Sequence, residues 1–421
     1  MATERLYYAD SHLSEFEAVV TAIKTTGDGR TAVTLDRTAF YPTGGGQPSD
    51  TGTLGGARVV ECVDAEDACV LHVVEGSAPE AGASVSGRID WPRRLDHIQQ
   101  HTGQHILSQA FVELYGAQTR SFRMMADASE IDVELRDPSD ERVEQAINRA
   151  NEIVWDDRRV RVHNVTPEEA ARLPLRRDSA REGELRIIEI EGFDFSPCGG
   201  THARTSGEVG LIAARHWERA RGLVRVTFVA GSRALADYRR ANRTARSVAA
   251  LFSVARDEAA EAVARLQDEN RQLQKRLRAA EELAARAEAR ELLEEAEGAG
   301  DVAIAVESSV VRNDEHAGTR LRVVTRVFDA RDAESLRRLA SALVANACTV
   351  ALLGSRDEEG ARLVFARSAD ADADMNALMR QACLALEGRG GGRADMAQGG
   401  GPRAERLEEA LESAASVVRG A

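Results

Sequence analysis

The sequence predicts an α+β protein with four parts: a small N-terminal β-barrel, an α+β domain holding a histidine and cysteine cluster, a long helical or coiled-coil linker, and a C-terminal α/β domain. Three observations carry this. Short apolar runs separated by glycine turns fill residues 1–92, the pattern of a small barrel. Glycine and proline are absent from Ala234 to Glu297, where alanine, arginine, glutamate and leucine dominate, which calls for a long helix. Beyond Gly298, strand and helix patterns alternate. The implied divisions are 1–92, 93–235, 236–297 and 298–421.

The barrel strands fall at Ala18 to Ile23, Ala32 to Leu35, Ala57 to Val63, Cys69 to Val74 and Ser84 to Ile89, with Pro92 as punctuation. A helix from Arg94 to Tyr115 follows, its apolar side formed by Leu95, Ile98, Leu107, Phe111 and Leu114. Next come a strand at Ile131 to Leu135, a helix from Pro138 to Trp155, a strand at Val160 to Val165, and a short helix opened by Pro167-Glu168. Strands at Leu185 to Ile190, Leu211 to Ala214 and Leu223 to Val229 complete the α+β domain.

In the long helical segment Val263, Asn270, Leu277 and Ala284 recur every seven residues, as do Leu266, Leu273, Ala280 and Ala287. That seam fits a coil between chains, and it equally fits a helix packed on its own chain or an antiparallel hairpin. The C-terminal domain has strands at Val302 to Val306, Leu321 to Val327, Thr349 to Leu353 and Leu363 to Arg367, with helices at Glu334 to Ala345 and Met375 to Leu386.

With 421 residues the chain can bury two or three cores. Aromatics make up only 4% of it, so those cores are aliphatic. The net charge is −14, and Lys24 and Lys275 are the only lysines. An acidic, nearly lysine-free composition is halophile-like and suggests a high-salt cytoplasm, where a hydrated acidic surface maintains solubility. Cys62, Cys69, Cys198, Cys348 and Cys383 form no regular framework, and an odd number argues for a reducing compartment. There is no signal-peptide core and no apolar run of membrane length, so the expectation is a cytoplasmic protein with no membrane partner.

Two segments carry the chemistry: His101-Thr-Gly-Gln-His105 and Cys198-Gly-Gly-Thr-His202. On a helix, residues four apart share a face, so His101 and His105 can reach one ion. Glycines between Cys198 and His202 let the backbone turn so that both side chains converge. Three neutral imidazoles and one thiolate around one divalent zinc leave a net charge of about +1. The bland alternatives are a polar helix face for the histidine pair and an ordinary buried thiol for Cys198. His97, one turn before His101, reads as a surface residue or as one supporting the ligands, because four donors already complete a tetrahedral site. Thr102 stands where a zinc protease carries its glutamate, which argues against peptide hydrolysis. Asp96-His97 is followed by Ile98, so the triplet of a DHH phosphoesterase is missing.

Two glycine-rich stretches stand out, Tyr41-Pro-Thr-Gly-Gly-Gly-Gln-Pro48 and Gly388-Arg-Gly-Gly-Gly-Arg-Ala-Asp-Met-Ala-Gln-Gly-Gly-Gly401. Neither ends in the Lys-Ser/Thr of a nucleotide-triphosphate loop. In the first, Thr43 and Gln47 offer polar groups to a small substrate while Gly44, Gly45 and Gly46 allow close approach; an ordinary turn between strands is the alternative. The second suits a sugar-phosphate backbone, with Arg389 and Arg393 as cations, or else a flexible linker.

The order of the YPTGGGQPSDTG, HTGQH and CGGTH motifs over residues 1 to about 235 resembles the editing domain of alanyl-tRNA synthetases and the free-standing AlaX editing proteins. GRGGGRADMAQGGG resembles the glycine-rich signature of the synthetases' C-terminal domain. The combination matches the long form of AlaX. The resemblance implies a zinc-dependent hydrolase that removes serine or glycine from mischarged tRNA for alanine, in trans and without charging tRNA itself; the alternative is a non-catalytic zinc protein that binds tRNA. It implies one zinc per chain on His101, His105, Cys198 and His202. Thr43 and Gln47 become catalytic, Gly44, Gly45 and Gly46 substrate-binding, and Arg389, Gly391, Gly392, Arg393 and Gln398 tRNA-binding. A homodimer through the C-terminal region is the further expectation.

Overall fold

Along the strand Glu15–Thr25, Phe16, Ala18 and Val20 are buried while Glu15, Glu17 and Val19 are exposed, the alternation of a strand with one face on a core. In this computed structural model, which describes residues 2–65, 68–177, 183–298, 302–303 and 321–420, that strand belongs to a closed six-stranded barrel. Around the barrel the order is Glu15–Thr25, Thr31–Leu35, Val70–Glu75, Ala57–Asp64, Gly52–Leu54, Ser84–Ile89. All five expected strands are present. The sixth, Gly52–Leu54, is too short to show a period; it closes the barrel by pairing with Ala57–Asp64 and Ser84–Ile89, and glycine permits the approach, since a Cβ on Gly52 would stand 2.1 Å from the Arg88 carbonyl oxygen. His72 is buried in the barrel wall, with Nδ1–H donating to Val33 O at 3.0 Å and the Thr38 hydroxyl donating to Nε2 at 2.8 Å.

Pro92 does not end the preceding segment. It lies in the first turn of helix α1 (Trp91–Tyr115), which begins three residues before the expected Arg94 because proline's fixed φ suits a helix start. Helix α1 is buried on several sides, and Arg94, His97, Gln100, His101, Thr102 and His105 are as enclosed as Ile98, Ile106 and Phe111. Leu114, expected on the apolar side, is 42% exposed. Helix α2 (Asp140–Trp155), capped by the Ser139 side chain, packs with α1 on a four-stranded sheet ordered Ile212–Ala220, Leu223–Ala230, Ser129–Val133, Thr119–Met124. A three-stranded sheet joins Val160–Val165, Leu185–Ile190 and Asp194–Pro197, and the short helix α3 (Pro167–Ala170) follows the first of these strands in the chain. The strands Thr119–Met124 and Asp194–Pro197 escaped the sequence pattern, being short and polar.

The single helix expected from Ala234 to Glu297 is two helices, α4 (Gly231–Leu251) and α5 (Ala259–Gly298). The interruption needs neither glycine nor proline: Ser253 takes φ +54°, and Glu258 turns back to accept a hydrogen bond from Ala255 N–H at 3.1 Å. The chain forms two compact units, Met1–Ala259 and Ala260–Ala421.

In the second unit a six-stranded sheet runs Val302–Ala303, Leu321–Asp329, Thr349–Asp357, Gly360–Arg367, Met396–Gly401, Arg389–Gly392. Alternate residues serve its two faces. Val350, Leu352, Leu363 and Phe365 meet α7 (Met375–Ala385) and α8 (Leu407–Gly420). Ala351, Leu353, Val364 and Ala366 meet α6 (Ala333–Val344) and, from α5, Ala289, Leu292 and Leu293. The earlier part of α5 leaves Leu266, Leu273 and Leu277 more than half exposed. Of the strand expected at Val302 to Val306, the part beyond Ala303 lies outside the described residues. The second glycine stretch is neither linker nor loop but an antiparallel hairpin. Its glycines admit the chain's own backbone and helix, since a Cβ on Gly390 or Gly399 would press on Cys383 Sγ at 2.6 and 2.5 Å.

Candidate metal centre

His101 and His105 project from α1, and Cys198 and His202 come from the turn after the strand Asp194–Pro197. Their donor atoms lie within 4.8 Å of one another, and they are the group of such residues found among the described residues. Cys198 Sγ is 3.3 Å from Nε2 of both His101 and His202. A tetrahedral zinc with ordinary bond lengths sets its ligands about 3.4–3.6 Å apart, so the donor set and its spacing fit zinc.

Each ring is oriented through its other nitrogen. His101 Nδ1–H donates to Gln47 Oε1 at 2.7 Å, His105 Nδ1–H to Asp194 Oδ2 at 3.1 Å, and His202 Nδ1–H to Thr102 Oγ1 at 3.3 Å. Nε2 of all three is thereby left as the donor, the arrangement by which metal-binding histidines are held. Asp194 and Thr102 were not expected in this role, because nothing in linear sequence links them to a histidine 89 or 100 positions away. Asp194 also accepts from Arg176 Nε at 2.9 Å and from Ser196 Oγ at 3.0 Å. Burial works against its charge, yet Arg176 and His105 hold the carboxyl below its usual range. Burial likewise opposes a thiolate at Cys198, but the imidazoles of His101 and His202 hold it well below the usual thiol range. Burial brings His202 down to about 3, keeping it neutral. Cys198 and His202 are thus disposed toward the protonation states that metal requires, whereas at His105 Asp194 and Cys198 outweigh burial and raise the pKa.

The glycines of the cysteine turn have a more specific purpose than flexibility. A Cβ on Gly200 would stand 2.2 Å from the His101 ring. Arg186 fixes the same turn, donating to Cys198 O at 2.7 Å and Gly200 O at 3.1 Å. His97 is buried rather than on the surface, with its Nδ1 lacking a hydrogen-bond partner among the described residues, and burial pushes its pKa down to about 3.

The first glycine stretch reaches the centre. Gly44 and Gln47 exchange backbone hydrogen bonds of 3.0 and 2.9 Å around Gly45 and Gly46, both at positive φ, as a two-residue hairpin turn demands. Gly46 is pressed on Phe122, whose carbonyl oxygen a Cβ would meet at 2.5 Å, and the Phe122 ring lies 5.4 Å from that of His101. Gln47 is buried; its Oε1 serves His101 and its Nε2 donates to Thr201 Oγ1 at 2.9 Å. Thr43 is exposed, its Oγ1 accepting from Ser49 N–H at 3.1 Å. Asp50, which follows the turn, forms a fully buried ion pair with Arg94 of α1. The guanidinium also donates to Ser11 O at 2.7 Å, and Tyr41 N–H donates to the carboxylate at 2.7 Å.

In the second unit Arg389, Gly392, Arg393 and Gln398 are exposed on the hairpin and Gly391 is half-buried. Gly391 pairs with Gln398, Gly392 N–H donates to Asn376 Oδ1 at 3.0 Å, and Arg393 pairs with Asp395 at 3.1 Å. No disulfide is formed among the five cysteines. No helix among the described residues is long and apolar enough to cross a membrane.

Three family models match this chain: the tRNA synthetases class II (A) over residues 3–93, the threonyl and alanyl tRNA synthetase second additional domain over 185–227, and the DHHA1 domain over 321–420. An alanine–tRNA ligase of Pyrobaculum neutrophilum is 37% identical over 72% of this chain and 35% of its own length. The alanyl-tRNA editing protein AlaX-L of Pyrococcus horikoshii is 36% identical over 55% of this chain and 59% of its own length. An alanine–tRNA ligase of Halobacterium salinarum is 34% identical over 99% of this chain and 44% of its own length. The chain therefore spans between a third and three fifths of these relatives. With the matched segments in this order along the chain and a His/Cys cluster within the first unit, the chain carries an alanyl-tRNA-synthetase-related editing region and a DHHA1 domain and is a homologue of AlaX-L.

Proposed function

We propose that this chain is an ester hydrolase that removes serine or glycine from mischarged tRNA for alanine, acting in trans on tRNA charged by a separate synthetase. The observation that carries the reading is the convergence of His101, His105, Cys198 and His202 beside the turn ending in Gln47. His101, His105, Cys198 and His202 would hold one zinc ion per chain, which would supply localised positive charge beside an ester that is already activated.

The chain's own groups do the rest. Gln47, Asp194 and Thr102 hold the imidazoles in one orientation. Both ends of the Gln47 amide are engaged, so Gln47 acts by positioning His101. Thr43 bonds the serine hydroxyl, and the exposed Thr43, Gly45 and Gly46 with the half-buried Gly44 support assigning the amino acid to this turn. Orientation of an activated ester next to a water molecule is a sufficient source of rate without a strong side-chain base. The exposed Arg389, Arg393 and Gln398, with the Gly391-Gly392 backbone, are assigned to tRNA. The exposed seam of Leu266, Leu273 and Leu277 supports a homodimer through the C-terminal region, and a cytoplasmic setting follows from the tRNA substrate.

Four protein donors form the closed shell of a structural zinc, which favours a second reading: a tRNA-binding protein without catalysis. Incubation with seryl-, glycyl- and alanyl-tRNA for alanine, with and without chelator, separates the two. Loss of the seryl ester, abolished by chelator, with the alanyl ester spared, is the expected result. Retention of tRNA with every ester intact selects the second reading.

A further inference from the structure

Helix α4 carries Arg233, Arg239, Arg240, Arg243 and Arg246 against a single acidic residue, Asp237, in a chain whose net charge is −14. Arg233 is bound to Asp96, and Arg240 to Asp237. The other three are exposed and make no ion pair or hydrogen bond among the described residues. Their spacing of four and three residues puts them on one face of the helix. No acidic side chain stands three or four positions from any of them, so like charges face one another along that stripe, an arrangement that disfavours the bare helix. A cleft of about 490 Å³ adjoins the last of them, lined by Asn242, Arg246, Val254 and Arg256 among others.

The helix is also tied to the element that carries two metal ligands. Gln100, next to His101, exchanges two 2.9 Å hydrogen bonds with the backbone of Ala230, immediately before α4. Arg233 in the first turn of α4 grips Asp96 of α1. At the rise of an α-helix, the arginine stripe starts about 12 Å along α4 from Gly231 and ends about 22 Å along it. Its own length of about 10 Å matches roughly three phosphates of a nucleic-acid strand.

We propose that Arg239, Arg243 and Arg246 form a phosphate rail that receives the sugar-phosphate backbone of the tRNA stem whose aminoacylated end enters the metal centre. The proposal rests on the tRNA reading above. The rail concentrates positive charge where an acidic protein otherwise repels a polyanion, and its rigid link to α1 fixes the distance between backbone and ester.

The test compares the full-length protein with R239Q/R243Q/R246Q and R239K/R243K/R246K. Binding of tRNA for alanine is measured over a range of salt, together with deacylation kinetics. Loss of three phosphate contacts lowers the slope of log affinity against log salt by about 2 to 3. The glutamine variant is expected to show that drop and a raised KM at unchanged kcat, while the lysine variant keeps the wild-type slope. A glutamine variant with wild-type slope and KM overturns the rail while leaving the editing reading intact. Weaker binding with an unchanged slope, or equal loss in the lysine variant, overturns it as well. Wild-type protein that does not bind tRNA removes both the rail and the editing reading.

Discussion

Gln47 Oε1 accepts a 2.7 Å hydrogen bond from His101 Nδ1–H, joining a hairpin turn of the N-terminal segment to a candidate metal ligand 54 positions away. This contact fixes which nitrogen of His101 faces the cluster, and Thr201 in turn fixes the Gln47 amide.

Replacing Gln47 with alanine frees the His101 ring. Metal affinity is expected to fall by about 10- to 100-fold, the usual cost of losing a partner that orients a ligand. Competition with a chromogenic chelator measures it; affinity equal to wild type would show that the ring is held by other means.

Gly200 is expected to tolerate nothing larger. In Gly200→Ala the new methyl group meets His101 at 2.2 Å, and neither the ring nor the turn clamped by Arg186 is free to yield. The metal content of the purified variant, by elemental analysis, should drop well below one zinc per chain, while Gly199→Ala, whose nearest neighbour is the Tyr8 hydroxyl at 3.5 Å, retains it.

Arg94→Met leaves the Asp50 carboxylate buried without its cation. A loss of about 3–5 kcal/mol is expected, the range for breaking a buried pair from one side. Urea unfolding reads it directly. The double variant Arg94→Met with Asp50→Asn should recover part of the loss, since the uncompensated charge is then gone.

His72 makes the barrel sensitive to acid. Burial pushes its pKa down to about 4, against about 6.5 in an unfolded chain. Between those values the unfolded chain takes up a proton that the folded barrel refuses. The stabilising contribution is therefore complete above pH 6.5 and is lost as pH falls toward 4, by about 3 kcal/mol in all. His97, brought down to about 3 by burial, acts in the same direction. Unfolding free energies of wild type and His72→Gln, compared at several pH values in that window, should differ in slope; parallel lines would exclude His72 as the source.

Thr43→Val tests the amino-acid pocket. A site built to bond a hydroxyl rejects the analogue lacking it, so removing the threonine hydroxyl should lower the ratio of seryl to alanyl deacylation by tenfold or more. Unchanged selectivity would take Thr43 out of the pocket.

The four clustered donors were legible because each pair is local: four residues on a helix, or four in a glycine turn, already bring two donors together. The roles of Asp194 and Thr102 were illegible, since each meets its histidine only through a contact between segments distant in the chain. The same division explains the glycines. Gly45 and Gly46 advertise a turn, but the exclusion of a Cβ at Gly200 by His101, or at Gly390 by Cys383, exists only once separate elements have packed.

Likewise, the composition from Ala234 to Glu297 spoke for helix throughout, and propensity is indifferent to the break at Ser253, which costs a single left-handed residue. The sequence by itself determined the α+β class, the barrel strands and the four donors, because these rest on periodicity and on chemistry carried by neighbouring residues. Only the tertiary structure decided which imidazole nitrogen faces the cluster and why Arg94 is buried. Those depend on partners distant in the chain, and hydrogen bonds and close contacts act over a few ångströms of space, whatever the separation in sequence.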